Sequence, residues 1–196
     1  TAASYIWYPG LVAEYMIHML GAEKKGEIHS IYFPHQVILE ENGLARLARN
    51  ELYYYRAAGI DLIFLVGDHQ STSNEGHYLL ADQYCGIAQD LKVQRIFTLG
   101  GFGVGHLVNE PRVLGAVNRA ELRPELEEAG VTFDRNEPGG GIIGAAGLML
   151  GLSAKRGIDA ACLMGETSGY LVDPMSAANV LAILSKLIDV PVDPTK

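Results

Sequence analysis

Cysteine is scarce in this chain of 196 residues, with only Cys85 and Cys162 present. They lack the spacing of a metal knuckle or a redox pair. Cys85 falls in a helical pattern and Cys162 in an apolar strand run, so both are expected as buried, reduced thiols of a cytoplasmic protein. Six histidines are scattered with no His-x-x-x-His pair and no His–Cys spacing. No catalytic or structural zinc and no other cofactor is expected. Positive charge is also in deficit, at 15 Lys and Arg against 23 Asp and Glu, a net charge of −8. An acidic surface without a Lys/Arg-rich run repels phosphate backbones and anionic lipid, which excludes nucleic acid and membrane surfaces as expected partners. No run approaches the ~18 apolar residues of a membrane span. The most apolar stretch, Gly139 to Leu152, is shorter and rich in Gly and Ala. No signal peptide is read at the start.

What is present is 48% hydrophobic and 19% charged, the composition of a globular chain. Its length suits one domain over residues 1–196. Tyr5 to Tyr8 reads as a strand broken by Pro9-Gly10. Leu11, Val12, Tyr15, Met16 and Met19 then recur at helical spacing, with Gly21 as a stop. A β-rich stretch follows over about residues 27–56, with short runs at Ile28–Phe33, Val37–Leu39, Leu44–Leu47 and Leu52–Tyr55. Asn42-Gly43 between two of them is a hairpin signal, and the hairpin is expected to stand outside the main sheet.

From Asp61 onward the pattern alternates. Leu62–Val66 and Ala160–Met164 are continuous apolar runs, as in strands buried on both faces. Arg95–Leu99 and Arg112–Val117 are further strands. Thr72-Ser73-Asn74-Glu75 has the form of a capping box opening a helix. Pro124–Ala129 predicts a short helix ending at Gly130, and Ile142–Leu152 a buried one. Asp173-Pro174 predicts the N-cap and first residue of a last helix. These elements predict an α/β fold: a mostly parallel sheet with helices on both faces and an inserted β-hairpin region.

Three strand runs reach glycine and continue as Gly67-Asp68-His69-Gln70, Gly100-Gly101 and Gly165-Glu166-Thr167-Ser168. Ligands of open α/β sheets bind beyond the C-terminal strand ends, so these turns define a candidate crevice. Asp68, His69 and Glu166 are its ionisable members. Glycine also marks tight turns in the absence of any ligand. Gly139-Gly140-Gly141 precedes a predicted helix, whose free N–H groups make it a candidate anion-binding turn. Packing of that helix against a neighbour explains the same glycines. No Gly-Lys-Ser/Thr follows, and Ser168 is not in a Gly-x-Ser-x-Gly elbow. Tyr53-Tyr54-Tyr55 reads either as an edge strand with amphipathic rings or as a partner interface.

Four blocks, in order over about residues 60–190, carry a family resemblance. They are Gly67-Asp68-His69-Gln70 with Gly76-His77-Tyr78; Leu99-Gly100-Gly101 with Pro111-Arg112-Val113; Gly139 through Leu148; and Leu163 through Tyr170 with Asp173-Pro174 and Ala177-Ala178. Together they resemble the proteasome assembly chaperone family, in its prokaryotic subgroup. Tyr8-Pro9-Gly10 is similar to a shortened form of that family's Gly-Pro-Gly turn. The resemblance implies a Rossmann-like fold akin to phosphorylases and hydrolases. It further implies a binding protein that forms homo-oligomers and acts on proteasome α-subunits. A rival reading is a phosphorylase- or hydrolase-type enzyme using Asp68, His69 and Glu166 on a small molecule. A scaffold without ligand is a third. Some relatives carry a tail ending hydrophobic-Tyr-any; the residues here run Val192-Asp193-Pro194-Thr195-Lys196.

Overall fold

Apolar alternation in Leu62–Val66 sends Leu62, Phe64 and Val66 to one face of a sheet and Ile63 and Leu65 to the other. A strand apolar on both faces must be covered on both. The computed structural model, which describes residues 2–7, 11–57, 59–133, 140–169 and 173–193, shows how. In chain order the elements are β1 (Ala2–Trp7), α1 (Leu11–Leu20), β2 (Glu23–Ile28), β3 (Val37–Leu39), β4 (Ala45–Leu47), β5 (Asn50–Ala57) and β6 (Ile60–Gly67). There follow α2 (Asn74–Asp90), β7 (Arg95–Gly103), β8 (Val113–Val117), a 3-10 turn (Ala120–Leu122), α3 (Arg123–Ala129), α4 (Ala145–Lys155), β9 (Asp159–Thr167) and α5 (Pro174–Leu187).

The main sheet runs β2-β5-β6-β1-β7-β9-β8. Its centre, β6-β1-β7-β9, is parallel. β2 and β5 on one side and β8 on the other are antiparallel. The expected mostly parallel sheet is therefore corrected: half of its pairings are antiparallel. The reason at β5 is local, because Ala57 and Ile60 leave room only for a tight turn, and strands joined that way must run antiparallel. The β3–β4 hairpin stands apart as its own two-stranded sheet, as expected. Gly43 at φ +81° and the bond from Glu40 N to Leu44 O close it. The rest of the expected insertion, β2 and β5, instead widens the main sheet.

Helices α1, α3 and α5 cover one face around Met16, Phe64, Phe97, Leu126 and Leu184. Helices α2 and α4 cover the other around Leu65, Tyr84, Ile96 and Met149. Burying each of these side chains contributes about 1.5–3 kcal/mol. Cys85, in the α2 layer, and Cys162, within β9, are both buried and free. Burial lifts the Cys162 thiol to about 11, against a bond from Thr98, so it is no nucleophile at neutral pH.

Several expected boundaries move. The run Ile28–Phe33 contributes only Ile28 to a strand; the strand itself is the polar Glu23–Ile28. The cap of α2 is Ser73, whose Oγ accepts from Gly76 N at 3.0 Å; N3 is then Gly76, without a side chain to reach back, so the expected capping box from Thr72 to Glu75 is replaced by a simple serine cap. Helix α4 starts at Ala145, buries Ala145, Met149 and Ser153, and leaves Ile143 96% exposed in the loop before it. The chain at Ile142 folds back onto this helix. A Cβ on Gly147 would lie 2.0 Å from the Ile142 carbonyl oxygen, and that contact requires glycine. Strands β7 and β9 do not stop at Gly100 and Gly165; they continue, paired, to Gly103 and Thr167. The α5 cap is as expected, with Asp173 Oδ1 accepting from Ser176 N at 3.0 Å. Asp173→Ala is expected to cost about 1 kcal/mol in chemical denaturation, with an unchanged m-value.

Candidate functional site

Strand β6 ends at Gly67 and delivers Asp68 to the base of the hairpin. In β4, alternation turns Ala45 and Leu47 outward and Arg46 inward. Arg46 meets Asp68 in a two-pronged pair, Nη1 to Oδ2 at 2.6 Å and Nη2 to Oδ1 at 2.8 Å. Asp68 Oδ2 also accepts from Arg49 N at 2.9 Å, and Asp68 N donates to Arg49 O at 3.1 Å. Arg46 Nε reaches Glu40 Oε1 at 3.0 Å. The guanidinium of Arg46 holds the Asp68 carboxyl below its ordinary range, against the opposing effect of burial. Asp68 is thus an anchor for the hairpin.

A cleft of about 730 Å³ opens beside this clamp, between α1 and the β5–β6 face, lined among others by Glu14, His18, Arg49, Glu51 and Asp68. Arg49 Nε donates to Glu51 Oε1 at 2.7 Å, and Tyr53 OH donates to Glu51 Oε2 at 2.7 Å. Burial and the Glu51 carboxylate push the Tyr53 phenol up to about 12. Tyr54 turns to the opposite face and donates to Asp61 Oδ1 at 2.7 Å. The tyrosine strand is not at the edge, since β2 covers it.

The other crevice residues disperse. His69 Nε2 lies 2.7 Å from Gln36 Nε2 in the loop before β3. Gln70 Oε1 accepts from Ala145 N at 3.2 Å, capping α4. Gly100 and Gly101 lie within β7, opposite Met164 and Gly165. Glu166, 5% exposed, points to the β8 edge, where its carboxylate accepts from Arg112 N at 3.0 Å and from the Arg112 guanidinium. Those bonds hold its carboxyl below the ordinary range. Thr167 O accepts from Val104 N at 2.9 Å, and Ser168 is buried. Three strand spacings separate β6 from β9, roughly 14 Å, so Asp68 and Glu166 do not face one reacting atom. The cleft lined by Asp68 includes neither His69 nor Glu166.

Of the glycine-rich turn, Gly139 lies outside the described residues, as do Tyr8, Pro9 and Gly10. Gly140 and Gly141 are exposed ahead of α4, whose Ala145 N–H already has Gln70 as acceptor. Among the described residues no cluster of His, Cys, Asp and Glu could hold a metal ion. None of their helices is long and apolar enough to cross a membrane. Sequence reasoning missed Arg46, Arg49 and Arg112, the partners that take up the flagged carboxylates. Only the inward register of Arg46 between two apolar neighbours hinted at one of them.

The sheet order, the helices on both faces and the clamped hairpin define a mixed α/β protein with a β-insertion. The chain belongs to the PAC2 family, whose profile matches residues 9–196. It is 39% identical over 183 residues to an uncharacterized protein of Methanocaldococcus jannaschii, MJ1210, covering 93% of this chain and 70% of that one. The crystal structure of Pyrococcus furiosus PbaB, an archaeal proteasome activator, superposes with a TM-score of 0.92 at 34% identity, over 99% of this chain and 86% of PbaB. Pyrococcus furiosus PbaA, an archaeal homolog of proteasome-assembly chaperone, shares the fold with a TM-score of 0.81 at 24% identity, over 99% of this chain and 80% of PbaA.

Proposed function

We propose that this chain is a proteasome-directed binding protein of the assembly-chaperone type, working as a homo-oligomer on proteasome α-subunits in the cytoplasm. The observation that carries the reading is the likeness to PbaB, a proteasome activator, at 34% identity across 99% of the chain. We read residues 1–196 as one domain with a Rossmann-like parallel centre, in keeping with the helices on both faces.

Binding without turnover fits the fate of the flagged carboxylates. A phosphorylase- or hydrolase-type enzyme needs an acid or base free to exchange a proton near neutral pH. Asp68, just past β6, and Glu166, near the end of β9, are each held ionised by an arginine of their own. The test uses the immobilised full chain and recombinant archaeal proteasome α-subunits. Retention of α-subunits is expected, together with an oligomeric mass for the chain by light scattering. An intact chain that retains no α-subunit overturns the proposal.

A further inference from the structure

Exposed strand edges invite pairing with other chains, and proteins guard them with charge or cover them. Here the guards are uneven. The free edge of β2 carries Glu23, Lys24, Lys25 and Glu27. The free edge of β8 is covered by Thr132, which donates to Val113 O at 2.8 Å and accepts from Gly115 N at 2.9 Å. The edge of β3, Val37-Ile38-Leu39, has no charged residue and no proline. Val37 is 53% exposed and Leu39 73%. The bond from Glu40 N to Leu44 O fixes the ladder, so Ile38 bonds inward to Arg46 while the backbone groups of Val37 and Leu39 point away from β4.

The geometry points to this edge as the contact with a second copy of the chain: two β3 strands pair antiparallel about a two-fold axis through Ile38. The inference rests on the homo-oligomer reading above and names its surface. Self-complementarity selects the occupant. In this register Val37 of each copy faces Leu39 of the other, and each such pair exchanges both of its outward backbone bonds. The acidic tips at Glu40 and Glu41 then lie at opposite ends, against Gln36 and His35 of the other copy. Centring the pair on Leu39 instead would crowd the two acidic tips together. An uncharged edge also lets two chains of net charge −8 meet without like charges in contact.

Three variants test this in the full chain. Ile38 of each copy forms a non-bonded cross-strand pair with Cα atoms about 4.5 Å apart, within disulfide reach. Ile38→Cys should give a covalent dimer on mild oxidation, while the buried Cys85 and Cys162 do not interfere. Val37→Pro removes one outward N–H at the first residue of an edge strand, where proline is tolerated. Leu39→Lys adds a gatekeeper charge. Both should halve the mass by light scattering and leave the far-ultraviolet circular dichroism unchanged. If the unaltered chain is monomeric, the homo-oligomer reading fails and takes this inference with it. If the chain is oligomeric but the variants keep its mass and Ile38→Cys does not cross-link, only the interface is overturned. Variants that stay oligomeric but lose α-subunits would assign the edge to a foreign strand, which also overturns it.

Discussion

Gly67→Ala is expected to destabilise the protein by about 3 kcal/mol, a fall in Tm of roughly 6–12 °C for a chain of this size. Backbone conformation is not the cause, since Gly67 is absent from the positive-φ residues. The cause is Asn50, fully buried and paired with Gly67 across β5 and β6. A Cβ on Gly67 would lie 1.7 Å from Asn50 Oδ1 and 2.4 Å from its Cγ. The Asn50 side chain has no free path aside, because its Nδ2 donates to Tyr84 OH inside the α2 layer. The variant must therefore shift a core strand or break that buried bond. A double-mutant cycle checks the mechanism. Asn50→Ala removes the atoms in conflict, so the double variant should cost at least 1 kcal/mol less than the sum of the two singles, by the usual size of coupling between touching residues. Additive costs would show that Gly67 matters for another reason.

That contact also shows what the sequence could and could not convey. Gly67 reads as a strand end, and β6 does end there. Gly100 and Gly165 look the same in sequence, yet β7 and β9 run through them because each pairs with the other. A glycine's own letters do not reveal which strand will lie beside it. Strand β2 was hidden for a similar reason. Glu-Lys-Lys-Gly-Glu-Ile has one buried apolar residue, and its strand conformation comes from pairing with β5. Leu62–Val66, Asn42-Gly43 and Asp173-Pro174 were legible because their signals are local: a two-sided apolar run, a turn dipeptide and a cap. The candidate site was legible only by half. Asp68 and Glu166 stood out as carboxylates at strand ends. Their arginines, Arg46 and Arg112, come from positions 22 and 54 residues away in the chain, which no local pattern connects. The flagged acids proved to be paired charges that tie an insertion and an edge strand to the sheet.

Asp68→Asn is accordingly expected to loosen the hairpin and spare the sheet. Three donors converge on the Asp68 carboxylate: Arg46 Nη1, Arg46 Nη2 and Arg49 N. An asparagine offers one oxygen and turns an N–H₂ group toward the remaining donors. Losing charge-assisted bonds to a partly buried group costs about 2–3 kcal/mol. The hairpin is tied to the body chiefly through Arg46, so the cost falls on local opening of residues 37–47 rather than on global unfolding. Amide exchange there should quicken about 30- to 150-fold, while β6 and β7 keep their protection. The pH dependence follows from the direction of the shift. The folded Asp68 pKa is lowered, so its stabilisation is present above the unfolded value of about 3.9 and is lost as pH falls through the folded value. In the unaltered chain, hairpin protection should therefore hold at pH 5–7 and fade below about pH 4. In Asp68→Asn it should start low and stay flat across that window. Unchanged exchange in 37–47 would mean that the hairpin is held by other contacts, and the clamp would lose its role as the element that presents β3.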